Sequence, residues 1–165
     1  MRLDFGALLL AVASCAAQAQ LVPIDPDWKE VEAPPPPPVR TSGLIPLEIP
    51  RTTLHFGVDP ASVSLEQDNV VRYVVVATSE SGSVNALYEG IRCATGDFKV
   101  YARQNGGSGW TVARDTPWRS LSESASRHTI LIARTGACIG QAPNRSASQI
   151  VRDLKAPVDR RFWNQ

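Results

Sequence analysis

Hydrophobic positions along the chain fall into blocks of different period. Val70 to Thr78 reads Val-Val-Arg-Tyr-Val-Val-Val-Ala-Thr, a β-branched run that predicts a strand. Ser79 to Ser83 is turn material. Asn85 to Cys93 then alternates, with Leu87, Ile91 and Cys93 on one side and Tyr88 and Arg92 on the other, which predicts a second strand. Ala94 to Asp97 makes another tight turn. Phe98, Val100 and Ala102 alternate with Lys99, Tyr101 and Arg103, a third strand with one solvated face. Asn105 to Gly109 closes a third hairpin, and Trp110 to Ala113 returns as a short strand. Successive hairpins of this kind predict a four-stranded antiparallel meander.

The flanks are less regular. Gly43 to Ile49 and Leu54 to Leu65 are broken by Pro46, Pro50 and Pro60, so they suit edge strands or extended coverings. Thr129 to Arg134 is apolar without a decisive period, and a helix over 126–134 is favoured. Asn144 to Leu154 is a clearer helix. Ser146 can cap it, and Ala147, Ile150, Val151 and Leu154 follow at helical spacing. Pro157 ends it. The predicted fold is α+β: an antiparallel meander of four to six strands with one or two C-terminal helices, stapled by one disulfide.

Ahead of the meander the composition changes. Phe5 to Ala13 is an uncharged apolar run behind Arg2, far short of the ~20 residues that span a bilayer, and it fits a cleaved signal peptide over 1–19. Two processing routes overlap. Ala17-Gln18-Ala19 suits signal peptidase, whereas Val12-Ala13-Ser14-Cys15 resembles a lipobox whose cysteine would carry lipid and tether the chain to a membrane. No later segment is long and apolar enough to be a transmembrane helix. Residues 20–43 read as a Pro-rich linker with five prolines in a row, Pro34 to Pro38, a stiff polyproline II spacer. Trp28 does not suit a fully solvated linker, because a tryptophan normally packs on something. The domain is then expected over 44–143, with a C-terminal helix and basic tail over 144–165.

Charge and cysteines narrow the setting. Lys and Arg number 17 against 16 Asp and Glu, so no bulk charge draws the chain to nucleic acid. With Cys15 removed or lipidated, Cys93 and Cys138 remain. In an exported chain such a pair reads as a disulfide. Widely separated, with no histidine close to either, they make poor zinc ligands. The setting implied is the periplasm, soluble or lipid-anchored.

In order, the chain carries an export signal, Asp27-Trp28-Lys29-Glu30, a proline-rich stretch, Leu44-Ile45-Pro46, Val70-Val71-Arg72-Tyr73, Ser79 to Gly82, Tyr88-Glu89-Gly90-Ile91-Arg92-Cys93, Trp118 and Cys138. This order of features resembles the cryptic-neisserial-protein-like family of Gram-negative bacteria. The resemblance implies a periplasmic protein, often described as a lipoprotein, with no established activity.

Candidate chemistry is sparse. The only histidines, His55 and His128, have no Gly-x-Ser-x-Gly elbow beside them. Glu89, mid-strand and beside Gly90, is the best single acid or base for a periplasmic hydrolase acting on envelope polymer. A buried ion pair with Arg72 or Arg92 is the plainer account of it. No catalytic set, metal site or cofactor motif is expected. Tyr88, Glu89, Arg92, Trp110 and Trp118 are instead candidates for an aromatic and cationic surface that binds an envelope protein or glycan. The favoured function is therefore a non-catalytic accessory or binding module.

Overall fold

The computed structural model describes residues 24–124 and 127–156. The signal region with Cys15, and the tail from Pro157 with Arg160 and Arg161, lie outside the described residues. Ten short or medium strands are present among the described residues: β1 (Ile45–Leu47), β2 (His55–Val58), β3 (Ser64–Leu65), β4 (Val70–Thr78), β5 (Val84–Arg92), β6 (Asp97–Asn105), β7 (Thr111–Val112), β8 (Arg119–Ser120), β9 (Cys138–Ile139) and β10 (Ala142–Pro143). Two helices, α1 (His128–Ile132) and α2 (Ala147–Lys155), lie towards the C-terminus.

The meander forms as the turn signals predict. Sheet order runs β1-β2-β4-β5-β6-β7, with every pairing antiparallel. β1, which carries Pro46, sits at the edge, where a missing amide donor breaks no ladder. β2 and β3 both pair with β4, at opposite ends of one edge. Pro60–Ser62 makes a 3-10 turn between them. There Ser62 Oγ accepts the Val74 amide at 2.8 Å and donates to the Asp59 carbonyl at 2.7 Å, so the interruption leaves no orphaned donor on β4.

Both faces of the sheet are buried. On one face Val71, Tyr73, Val75, Ile91, Phe98 and Val100 pack with Ile132, Ile150 and Leu154 from the helices. On the other, Val74, Val76, Ala86, Tyr88, Tyr101 and Ala102 form a second cluster. This explains why β4 is a nearly unbroken apolar run rather than an alternating one. The expectation for β6 changes here. A bulge sets Tyr88 opposite Ala102 and Glu89 opposite Val100, leaving Tyr101 as the extra residue. Ala102 thereby moves to the second face, and the side expected to be solvated holds buried Tyr101 instead.

Helix α1 is shorter than expected and continues as a π-helical turn over Ala133–Ala137. α2 matches its sequence signal, with Ser146 Oγ accepting the Gln149 amide at 3.2 Å. Its buried residues, Ile150 and Leu154, belong to the main core, so this helix is part of the domain's packing. Gly136 lets the two helical segments meet: a Cβ there would lie 2.7 Å from Leu154 Cγ. Asn144 fixes the same junction, donating to the Gly136 carbonyl at 2.8 Å and to Asp153 Oδ2 at 2.7 Å. Cys93 and Cys138 form a disulfide with Cα atoms 5.7 Å apart, tying the end of β5 to the segment after the helix. No helix among the described residues is long and apolar enough to cross a membrane.

Candidate functional site: a strapped sheet face

The described part of the Pro-rich stretch is laid across the second face of the sheet rather than standing off it as a spacer. Trp28 is held at one end. Its ring lies 3.7 Å from the Arg92 guanidinium and meets Trp118 edge-on at 5.9 Å, while its indole N–H donates to the Asp68 carbonyl at 2.8 Å. Glu30 Oε2 accepts from Lys99 Nζ at 2.9 Å and from Trp118 Nε1 at 3.1 Å. Val31 is bonded on both sides: its amide donates to Asp68 Oδ2 at 3.0 Å, and its carbonyl accepts from Arg72 Nη2 at 3.1 Å. Ala33 and Val39 pack on the second apolar cluster. At the far end Trp110 Nε1 donates to the Pro37 carbonyl at 2.8 Å.

Proline explains this mode of attachment. A polyproline II chain has no internal hydrogen bonds, so its carbonyls remain open to outside donors. Aromatic N–H groups beside apolar rings are suited to capture them. The strap cannot join the ladder as a strand, so it lies over the face, fixed by side chains.

A buried ion pair stands beneath it. Arg72 and Asp68 have fully buried side chains and meet at 2.6 and 3.1 Å. Burial pushes the Asp68 carboxyl up, but bonds from Arg72 and from the Val70 and Val31 amides, with the Arg72 charge, outweigh it and hold the carboxyl below its ordinary value. Glu30 behaves alike: burial raises it, and the bonds from Lys99, Tyr101 and Trp118, with the Lys99 charge, bring it down below its ordinary value. Burial is the main cause that pushes the Tyr101 hydroxyl up. Tyr101 packs on Tyr88 at 5.4 Å and spans Gly90, where an added Cβ would fall 2.8 Å from its ring, its hydroxyl and Val70. Gly90→Ala should therefore destabilise the fold by about 1–3 kcal/mol through overpacking, read as a lowered melting temperature. Unchanged melting would mean that the ring is not seated there.

Glu89 lies on the opposite face, and the expected ion pair with Arg72 or Arg92 does not form. Side-chain parity decides this: Tyr73 and Glu89 are register partners facing the helices, whereas Arg72 pairs with Gly90 and points to the strap side. Glu89 Oε2 accepts the Tyr73 hydroxyl at 3.0 Å and meets His128 Nε2 at 2.8 Å. The imidazole stacks on Phe56 at 5.4 Å. Glu89, Tyr73 and His128 are each at most 2% exposed. Burial above all, then the Glu89 charge and hydrogen bond, pushes the Tyr73 hydroxyl well up.

The five surface candidates thus divide. Arg92, Trp110 and Trp118 contact the strap directly, Tyr88 lies beneath it in the second cluster, and Glu89 belongs to the helix face. Asp68 and Lys99, which also build the strapped face, were not among the candidates. The unbroken apolar run of β4 and the unexplained Trp28 were the signals that could have found it. Among the described residues no group of three or more His, Cys, Asp and Glu could hold a metal ion.

A family model matches residues 24–155, a span that includes the strap as well as the sheet and α2. The chain belongs to the CNP1-like family. No curated protein and no solved structure matches it. In this CNP1-like chain the matched span starts at the first described residue, ahead of the strap, and ends at the last residue of α2. Strap, sheet and helix therefore fall within one family unit.

Proposed function

We propose that this CNP1-like protein is an exported envelope module of the periplasm, soluble or lipid-anchored through Cys15, that binds rather than catalyses. The observation that carries the non-catalytic reading is the enclosure of Glu89. A general acid or base must reach substrate within about 3 Å, directly or through one water. The Glu89 carboxylate is 1% exposed and engaged by Tyr73 and His128, which is the arrangement of a satisfied structural network. The Cys93–Cys138 bond supports the location, because such bonds persist in oxidising compartments.

Fractionation of Gram-negative cells expressing the full chain tests the location. A processed, oxidised chain in the periplasmic or membrane fraction is expected, and an unprocessed, reduced chain in the cytoplasm contradicts it. Incubation with purified peptidoglycan tests the absence of catalysis. Fragment release by the wild type that is lost in a folded Glu89→Gln variant would establish the hydrolase instead.

A further inference from the structure

The strapped face has an imbalance that its own strap does not correct. Among the described residues, Arg72 Nε and Arg92 Nε are buried there without a hydrogen-bond partner. Both are donors, and the Tyr101 hydroxyl beside them lies against Glu30 and Arg72. Arg72 is fully buried, and a buried donor left without an acceptor carries the full cost of its desolvation. Of the side chains that grip the strap, Lys99, Trp110 and Trp118 are donors too, whereas Asp68 accepts the Val31 amide. Against them the strap brings one engaged carboxylate, Glu30, while Glu32 is exposed to solvent.

A groove in which side-chain donors outnumber acceptors favours a ligand rich in acceptors and poor in donors. Acidic polyproline II chain meets that description. Each proline removes an N–H while keeping its carbonyl, and carboxylates match the cations by charge-assisted bonds. Tyr88, Tyr101 and Trp110 supply an apolar aromatic surface, packed here by Ala33 and Val39, of the kind on which proline rings dock.

We infer that this face is a peptide-docking groove for an acidic, proline-containing extended segment of a partner protein, and that residues 28–39 occupy it in cis as a competitor. The inference rests on the reading of the chain as a binding module and names the partner class for that site. The strap is continuous with β1 through Thr41, Ser42 and Gly43, which are exposed, so it can lift without unpairing the sheet. Its tether gives it a high effective concentration, on the order of millimolar. A partner must outcompete it, and the acceptors missing from the strap are the means.

Fluorescence anisotropy with a labelled synthetic peptide of residues 24–40 tests this on the full chain. Wild type should bind the peptide weakly, because the site is filled. A chain carrying Trp28→Ala and Glu30→Lys should bind it at least about tenfold more tightly, since an apparent dissociation constant scales inversely with the open fraction. Adding Lys99→Glu to that chain should remove the gain, and a peptide with both glutamates changed to lysine should bind at least about tenfold more weakly. The inference is overturned if the strap-weakened chain keeps its near-ultraviolet circular dichroism yet shows no saturable binding, or binds both peptides equally. Should that variant fail to fold, wild type decides: excess acidic peptide must accelerate hydrogen exchange of the Val31 amide, and no acceleration overturns the inference. A concentration-dependent wild-type dimer in sedimentation velocity, abolished by Lys99→Glu, would replace the partner protein by a second copy. Failure of the peptide tests leaves the fractionation and peptidoglycan outcomes standing, so the two readings fail separately.

Discussion

Arg72→Ala should be among the most damaging single substitutions in this chain, costing about 3–5 kcal/mol because it leaves the Asp68 carboxylate buried without its cation. Both side chains are fully buried, and Arg72 also holds the strap through the Val31 carbonyl. Replacing the pair together, as Asp68→Leu with Arg72→Met, should cost less than Arg72→Ala alone, since no charge is then left unmatched. Urea melts of the two variants and wild type check the order. The acid limb gives a second reading. Asp68 is held below its ordinary value in the fold, so its contribution is complete above the unfolded-state value of about 3.9 and is lost as pH falls through the folded one. In Arg72→Ala the cation is gone and burial pushes the carboxyl up, so protonation relieves the buried charge and the deficit relative to wild type should shrink as pH falls. An acid limb identical to that of wild type would show that the pair is not formed.

Loss of the Cys93–Cys138 bond is the second large effect. The Cys93→Ala/Cys138→Ala variant should be destabilised by about 4 kcal/mol, the chain-entropy value for a loop of this size. It joins β5 to the strand after the π-helical turn, so the helical layer should loosen from the sheet first. Calorimetry with and without reductant measures the same quantity on wild type. A melting temperature indifferent to reductant would mean that the bridge does not constrain the unfolded chain.

Much of the sheet could be read from local signals, and most of the site could not. The hairpins at Ser79–Ser83, Ala94–Asp97 and Asn105–Gly109 are set by turn chemistry within a few residues, and α2 by a cap and a 3.6-residue period. The bridge followed from compartment and cysteine number. The strap escaped because proline announces only what a segment cannot do: it forbids ladder pairing and says nothing about lying over a face. Its anchors are also remote in sequence, with Glu30 reaching Lys99 and Trp118, and Val31 reaching Asp68 and Arg72. Glu89 was paired with the wrong cation for a related reason. Its neighbours on the chain and across the sheet include arginines, but side chains on adjacent register positions point to opposite faces. The bulge at Tyr101 had no local marker in β6, and it alone moves Ala102 across the sheet.

The binding face exists in this form only if residues 28–39 are seated on the sheet rather than held away from it. Hydrogen exchange followed by NMR on the wild-type chain tests it directly at the Val31 amide and the Trp28 and Trp110 indole N–H groups, each of which donates to a fixed acceptor. The seated strap predicts that all of these protons exchange far more slowly than in an unfolded peptide of the same sequence, and that Lys99→Glu accelerates the Val31 amide. Exchange at unfolded-peptide rates in a chain whose β4 and β5 amides stay protected would contradict it.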